Sequence, residues 1–215
     1  ISEDGITNNI AEELLNKTVY ELSHSDEDFS SIEIVSSRKD AGKTEISKKL
    51  FNKLKIKHKV CLLDLDYRKK GLTRELYGDQ NSLKSFDDFY NEIENFKSDN
   101  QSVFIPSFDI EDPIDFFSSR DFNENITKLK KEYDYIICDT PPWKLFVDAK
   151  IIGKYFDKKI YIVCNQSSTF KDIDLFLKDL EDKKSARFFY NKFKLYFNFL
   201  WYKYQYPYYS RNYYY

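Results

Sequence analysis

The sequence predicts an α/β domain with a mostly parallel central sheet flanked by helices. Short continuous apolar runs suit strands that are covered on both faces, and they recur at 32–36, 59–63, 103–105, 135–138, 160–164 and 186–190. Segments with apolar residues at helical spacing alternate with these runs, at 7–22, 44–56, 83–96, 121–131 and 170–181. This alternation is typical of a parallel sheet. Ligands bind such sheets beyond the carboxyl ends of the strands, so the residues that follow each strand are the candidates for chemistry.

Composition divides the chain into a domain and a tail. The 215 residues carry a net charge of −2, with 33% charged and 41% hydrophobic residues, which excludes a generally basic nucleic-acid binder. The last 33 residues differ from the rest, because they hold seven Lys and Arg, no acidic residue and 16 of the 39 aromatic residues. We therefore predict a domain over 1–200 and a flexible tyrosine-rich tail over 201–215, WYKYQYPYYSRNYYY.

The cysteines and the apolar runs indicate the compartment. Cys61, Cys138 and Cys164 each lie within an apolar run and share no metal-ligand spacing, so they are predicted to be buried, reduced thiols of a cytosolic protein. The sequence contains no run of 18 apolar residues, the length needed to span a membrane, and no signal-peptide pattern at its start. The chain also has no Met, which agrees with a piece of a longer protein whose upstream part holds a membrane segment.

The first motif, IVSSRKDAGKT at 34–44, ends a strand and opens a helix. Its GKT matches the end of a P-loop, in which backbone N–H groups and a lysine bind phosphates and a hydroxyl binds Mg²⁺. Ser37 stands where the first glycine of that pattern is expected, and the Asp40 carboxylate is expected to repel phosphates. The predicted nucleotide-binding residues here are Ser37, Asp40, Ala41, Gly42, Lys43, Thr44 and Glu45.

Two further motifs place carboxylates at strand ends. In VCLLDLDYR, at 60–68, Asp64 and Asp66 are two residues apart in an extended segment, so both are expected to face one Mg²⁺ ion or a nucleophilic hydroxyl. In YDYIICDTPP, at 133–142, Asp139 ends an apolar strand and suits a direct or water-mediated Mg²⁺ contact. Each motif alone also fits an ordinary surface loop, whereas the ordered series of three is specific.

In this order the motifs resemble the Walker A, Walker A′ (D-x-D-x-R) and Walker B (D-x-P) elements of the bacterial tyrosine kinases, the BY-kinase family of capsule and exopolysaccharide synthesis. IPSFDIEDPIDFFSSRDF resembles the family segment in which Asn/Asp-Pro precedes a helix and a Ser-Ser turn, and VDAKIIGKYFDKKIYIV resembles the stretch after Walker B, with Asp148 at a usually acidic position. The resemblance covers nearly the whole chain, including the terminal tyrosine cluster, and implies the P-loop NTPase fold of deviant-Walker, MinD-like type.

The resemblance implies an ATP- and Mg²⁺-dependent protein-tyrosine kinase that autophosphorylates its tail and regulates polysaccharide synthesis and export. Lys43 and Thr44 would bind the ATP phosphates and Mg²⁺, Asp64 would accept the tyrosine proton, and Asp66 and Asp139 would position the metal. Lys43, Asp64 and Asp66 are thus the predicted catalytic residues, and Thr44, Asp66 and Asp139 the predicted metal ligands. Arg68 joins the predicted nucleotide-binding set. The predicted phosphoacceptors are Tyr202, Tyr204, Tyr206, Tyr208, Tyr209, Tyr213, Tyr214 and Tyr215.

The resemblance also implies partners and a location. A transmembrane chain-length regulator, on the same or a separate chain, is the expected activator, and a protein-tyrosine phosphatase is the expected antagonist. A homo-oligomer in which one tail enters a neighbouring site is expected at the cytoplasmic face of the cell membrane. The family's E-x-x-R-x-x-R ring pattern keeps Glu13 here but has Asn16 and Val19 at the arginine positions, which leaves the ring contact open.

Three alternatives remain at this stage. Partitioning and cell-division ATPases share the three motifs, but they carry a K-G-G-x-G-K-[ST] loop, where this chain has Arg38 without the two glycines, and they do not end in tyrosine clusters. A catalytically weakened pseudokinase would regulate a polysaccharide assembly without ATP. A nucleic-acid or membrane patch would use the basic, aromatic tail. The tyrosine cluster favours the kinase.

Overall fold

A computed structural model describes residues 3–24, 30–78, 83, 85–88, 102–164, 168–180, 182 and 185–191, with the backbone alone at 3–11 and 191. The tail at 201–215 and most of the helix predicted at 83–96 lie outside these described residues. Among the described helices, none combines the length and apolarity needed to cross a membrane.

The described residues form one sheet of six strands in which every pairing is parallel. The strands are β1 Ser31–Val35, β2 Val60–Asp64, β3 Val103–Ile105, β4 Tyr135–Asp139, β5 Lys158–Cys164 and β6 Ala186–Asn191. Their order across the sheet is β3-β2-β4-β1-β5-β6, so β4 lies between β1 and β2. The predicted parallel α/β class and all six predicted strands are confirmed, with ends that differ by at most two residues.

Helices connect the strands and cover both faces of the sheet. They are α1 Glu3–Ser23, α2 Lys43–Leu54, α3 Gly71–Tyr77, α4 Pro113–Ser118, α5 Arg120–Glu132, α6 Val147–Ile152 and α7 Phe170–Asp179, with a 3₁₀ turn at Gly153–Tyr155. The predicted helices at 7–22, 44–56, 121–131 and 170–181 are confirmed as α1, α2, α5 and α7. Helices α3 and α6 were not predicted, because seven and six residues are too few to show a helical period.

Local capping explains where several helices begin. The Asp112 carboxylate accepts from the backbone N–H groups of Ile114 and Asp115, and Pro113 occupies the first turn of α4, as the resemblance implied. The Ser119 hydroxyl then accepts from the N–H of Phe122 and starts α5. At α7, Thr169 and Asp172 form a reciprocal capping box.

The sheet has a separate apolar core on each face, because alternate residues of a strand point to opposite sides. On β2, Cys61 and Leu63 pack into the core that contains the α5 residues Phe122 and Ile126. Leu62 of the same strand packs into the other core, with Leu50 of α2. The three cysteines are buried and free, as predicted.

Helix α1 packs along the second core and meets α2. Leu15 is buried there, and the Glu12 carboxylate pairs with the Lys49 and Lys53 ammonium groups of α2 at 3.7 and 3.1 Å. Of the three positions that correspond to the family's ring pattern, Glu13 and Asn16 are exposed and Val19 packs against the core. Of the ring pattern, the chain therefore keeps one exposed acidic residue and has no arginine at the other two positions.

Glu33 is a buried carboxylate in the middle of the central strand β1. Its Oε2 atom lies 3.9 Å from the Lys159 ammonium, and a Cβ atom added to Gly153 would lie 2.9 Å from the same oxygen. Burial raises the pKa of Glu33 to about 7, and the nearby Lys159 charge only partly opposes that rise. Any larger residue at 153 would therefore require the Glu33 carboxylate to shift.

We predict that Glu33→Gln stabilises the protein above neutral pH. Because the pKa of Glu33 is about 7 when folded and 4.5 ordinarily, its contribution is fully present below pH 4.5 and is lost as the pH rises through 7. Gln carries no charge to bury, so its advantage is expected to reach at most about 3 kcal/mol at pH 8. Urea unfolding at pH 4.5 and pH 8 measures the difference.

The exposed Glu124→Gln, on α5, is the matched control and is expected to change the pH dependence little. A Glu33→Gln protein that is no more stable than wild type at pH 8 would contradict the electrostatic account of this residue.

Candidate active site

The three predicted motifs meet at one edge of the sheet because their strands are neighbours. Asp64 and Asp139, the last residues of β2 and β4, are directly opposite in register, and Asp139 is also opposite Ile34 of β1. The backbone N–H of Leu65 donates to the Asp139 carbonyl at 2.9 Å and extends the contact beyond the strands. The loop after β1 therefore lies beside both acidic strand ends.

The loop after β1 turns tightly into α2. Gly42 has a φ of 96°, in the left-handed region that favours glycine, and Asp40 has a φ of 59°. No described side chain caps the first turn of α2, whose first residue is Lys43, so its N–H groups suit an anion. Ser37 and Ala41, which belong to this loop, are buried. These features fit a phosphate-binding loop.

Lys43 is buried within this loop. Its ammonium donates to the Ser36 hydroxyl oxygen at 3.1 Å, and that hydroxyl donates to the Arg38 carbonyl at 2.7 Å. Burial lowers the pKa of Lys43, while the Asp139 charge opposes the change. A buried ammonium is stabilised by an anion, which suits a lysine that binds phosphate.

Thr44 and Asp139 form the second polar contact of the site. The Thr44 hydroxyl donates to Asp139 Oδ2 at 2.7 Å, whereas Asp139 Oδ1 is buried and has no hydrogen-bond partner among the described residues. Burial raises the pKa of Asp139 to about 6, against the opposing charge of Lys43. A buried carboxylate oxygen without a donor, beside a hydroxyl oxygen, fits a Mg²⁺ ligand pair.

Asp64 lies behind the cleft and is held by the start of α3. Its Oδ2 atom accepts from the Thr73 N–H and from the Thr73 hydroxyl, both at 2.9 Å, and its Oδ1 accepts from the Asp66 N–H at 3.2 Å. Burial, together with the nearby Asp139 charge, raises the pKa of Asp64 to about 7. No sequence pattern indicated Thr73, which is nine residues away on a helix that was not predicted.

Asp66, unlike Asp64, lines the cleft. Its carboxylate accepts the Lys69 N–H at 3.3 Å, and its carbonyl accepts the N–H groups of Lys69 and Lys70 at 3.0 and 2.6 Å. The expectation that both A′ carboxylates face one ion therefore differs from the structure: Asp66 faces the cleft, and Asp64 is turned toward Thr73.

Arg68 braces the A′ loop against α6. Its guanidinium makes two hydrogen bonds to the buried Asp148 carboxylate, at 2.5 and 3.0 Å. It also lies 4.3 Å from the Tyr67 ring centroid and 4.1 Å from that of Phe146. Arg68 does not line the cleft, so this geometry favours a role in positioning the A′ loop over the predicted contact with nucleotide.

The motifs enclose an open cleft of about 340 Å³. It is lined by Lys39, Asp40, Gly42, Lys43, Thr44, Glu45, Asp66, Lys69, Glu75 and Pro142. Next to it, the Trp143 backbone N–H donates to the Ser36 carbonyl at 2.9 Å, and the Trp143 ring packs edge-on against Phe176. No group of three or more His, Cys, Asp or Glu residues within the described ranges has the geometry of a metal site.

Fold and loop geometry define the class as an α/β domain of the P-loop NTPase type. The kinase domain of VpsO has a similar structure, with a TM-score of 0.72 at 20% identity over 88% of this chain and 98% of that one. The chimerical protein CapA2B2 has a TM-score of 0.68 at 19% identity, over 85% of this chain and 84% of that one. MinD of Pyrococcus horikoshii, complexed with Mg-ADP, is less similar, with a TM-score of 0.53 at 24% identity over 74% of this chain and 67% of that one.

Curated relatives confirm the resemblance to bacterial tyrosine kinases. The tyrosine-protein kinase CpsD of Streptococcus pneumoniae serotype 4 is 38% identical over 61 residues, which are 28% of this chain and 27% of that protein. The tyrosine-protein kinase wzc of Salmonella typhi is 28% identical over 141 residues, which are 62% of this chain and 19% of that protein. The chain thus spans about a quarter or less of the length of these relatives. No protein-family profile matches the sequence.

We predict that Arg68→Ala lowers the free energy of unfolding by about 2 kcal/mol, measured by urea unfolding. The reason is that the Asp148 carboxylate would stay buried without the guanidinium that donates two hydrogen bonds to it. The expected loss of stability is smaller than for a fully buried ion pair because the Arg68 side chain is 34% exposed.

Arg68→Ala combined with Asp148→Asn is the control, because the neutral amide no longer needs the cation. The double variant is expected to lose less stability than the two single losses added together. Strictly additive losses would contradict a direct Arg68–Asp148 interaction.

Proposed function

We propose that the chain is the kinase domain of an ATP-dependent protein-tyrosine kinase. In this proposal the domain autophosphorylates the tyrosine cluster at 201–215 and regulates capsular or exopolysaccharide synthesis and export. The names of the curated relatives support the kinase class. The observation that carries the proposal is that the P-loop and the loops that follow the acidic ends of β2 and β4 meet at one cleft, lined by Lys43, Asp66 and Pro142.

The residues present fit Mg²⁺ and the phosphates of ATP. Lys43 and the first turn of α2 would hold the phosphates, and the Thr44 hydroxyl, Asp139 and Asp66 would hold the metal directly or through water. When bound, Mg²⁺–ATP supplies the transferable phosphoryl group and offsets the charge that develops during transfer. The protein then has to position the acceptor hydroxyl and accept its proton.

Asp64 is the proposed proton acceptor, with Asp66 as the competing carboxylate. The raised pKa of Asp64, about 7, suits a base that works near neutral pH. Its oxygens already accept hydrogen bonds from Thr73 and Asp66, so the acceptor tyrosine has to compete with these donors. Asp66 lines the cleft, so an acceptor hydroxyl can reach its carboxylate without displacing Thr73, although the Lys69 N–H also donates to it at 3.3 Å.

The wider assembly is also a proposal. A transmembrane chain-length regulator would activate the domain, a protein-tyrosine phosphatase would reverse the modification, and the tail of one copy would enter the cleft of another at the inner face of the cell membrane. The proposed trans reaction does not need a closed ring. It needs only a tail long enough to reach a second cleft.

Incubation of the purified chain with Mg²⁺ and ATP, followed by intact-mass and peptide mass spectrometry, tests the activity. We expect phosphate on the tyrosines of residues 202–215. Lys43→Met is expected to abolish the signal, because it removes the buried cation. The matched control is Lys178→Gln on α7, which removes an exposed lysine that pairs with Asp174 and should leave the phosphate signal unchanged.

Circular dichroism and thermal unfolding must first show that Lys43→Met is folded. ATP hydrolysis that depends on Lys43, without any phosphotyrosine even when an activator segment is added, would contradict the kinase and favour the partitioning-type ATPase. A folded wild-type chain that binds no nucleotide would favour the pseudokinase.

The pH dependence of autophosphorylation tests Asp64 as the base. If Asp64 accepts the proton, the rate rises with pH around 7, because the ionised form is the active one and the folded pKa is about 7. Asp64→Asn is then expected to lower the rate at least about 100-fold while nucleotide still binds. A wild-type rate that does not change between pH 6 and pH 8 would count against Asp64 as the base.

A further inference from the structure

The P-loop of this chain carries a carboxylate in an unusual place. Asp40 adopts a left-handed backbone conformation two residues before Gly42, and its side chain lines the cleft with 76% of its surface exposed. Asp is among the few residues other than glycine that tolerate this conformation. A carboxylate here faces the same space as the proposed phosphates. The negative charges of the carboxylate and the phosphates are therefore expected to repel each other.

Lys69 reaches across the cleft from the A′ loop to this carboxylate. Its ammonium lies 2.8 Å from Asp40 Oδ1, and its own backbone N–H is held by the Asp66 carbonyl at 3.0 Å and by the Asp66 carboxylate at 3.3 Å. The backbone of Lys69 is therefore fixed on the A′-loop side of the cleft, and its ammonium contacts the P-loop on the other side.

The Asp40–Lys69 ion pair is not explained by a contribution to the stability of the fold. The side chains of Asp40 and Lys69 are 76% and 55% exposed, and exposed pairs of this kind contribute little to stability. The Lys69 charge does lie at the site, because Lys69 lines the same cleft as Lys43 and Thr44. The pair is better explained by what it does to charge inside the cleft.

We propose that Lys69 is a positioning residue for nucleotide binding, which neutralises Asp40 so that a polyphosphate can enter a loop that contains a carboxylate. This inference rests on the nucleotide site proposed above and deepens it. It accounts for the departure of KDAGKT from the usual glycine-rich loop: the added anion in the loop is matched by a cation 29 residues further along the chain.

Four proteins test the inference: wild type, Lys69→Gln, Asp40→Asn and the double variant. Asn keeps the tolerance for the left-handed backbone and removes only the charge. Titration of each with a fluorescent N-methylanthraniloyl-ADP in the presence of Mg²⁺ gives the dissociation constant. Lys69→Gln is expected to weaken binding roughly ten-fold, equivalent to about 1.4 kcal/mol. Asp40→Asn is expected to bind at least as tightly as wild type, and the double variant is expected to match Asp40→Asn.

Two controls separate neutralisation from other causes. Lys69→Arg keeps the charge and is expected to bind as wild type does, and Lys178→Gln on α7 removes an exposed lysine outside the cleft and is expected to have no effect. The difference in dissociation constant between wild type and Lys69→Gln is also expected to shrink at about 0.5 M salt, because salt screens charges and shortens the Debye length toward a few ångströms.

The outcomes are distinct from those for the kinase. An equal loss from Lys69→Gln in the wild-type and Asp40→Asn backgrounds, or no loss in either, would overturn the inference, as would failure of wild type and Asp40→Asn alike to bind the probe. The expected pattern of dissociation constants without phosphate transfer from ATP would support the inference while contradicting the proposed kinase activity.

Discussion

Parallel pairing of β4 with both β1 and β2 is the constraint on which the site depends. It puts Asp139 next to Asp64 in register and next to the end of β1, from which the P-loop departs. Because strand side chains alternate between faces, a slip of one residue in β4 would turn Asp139 away from Thr44. The two apolar cores hold that register, with Ile136 and Cys138 packed on one face and Ile137 on the other.

This geometry concentrates negative charge where little water reaches. Asp64 and Asp139 are buried side by side, with Asp66 near the mouth of the cleft, and burial raises the pKa values of the first two. Lys43 is the buried cation beside them, and burial lowers its pKa. A bound cation would stabilise the carboxylates and a bound anion would stabilise the Lys43 ammonium, so the same arrangement suits a metal and a polyphosphate together.

Sequence patterns predicted the strands, the longer helices and the motif positions, because each of these is recorded in a short stretch of chain. The carboxylates at 64 and 139 end apolar runs, and strand ends of a parallel sheet face ligands. Helices α3 and α6 were not predicted because they are short. Thr73, the hydrogen-bond partner of Asp64, was missed because it lies in α3. Pairs such as Arg68–Asp148 and Asp40–Lys69 join residues 80 and 29 positions apart and leave no local pattern. The sequence showed that Asp40 is an obstacle, and only the fold shows the cation opposite it.

Trp143 has a practical consequence as a built-in optical reporter. Its backbone is tied to Ser36 beneath the P-loop, its neighbour Pro142 lines the cleft, and the Lys150 ammonium lies 5.0 Å from its ring centroid. The sequence contains two Trp residues, and the other, Trp201, lies in the tail. Replacement of Trp201 by Phe would therefore leave one tryptophan, which can be excited selectively over the 18 tyrosines and whose emission is expected to respond to events at the loop without any label.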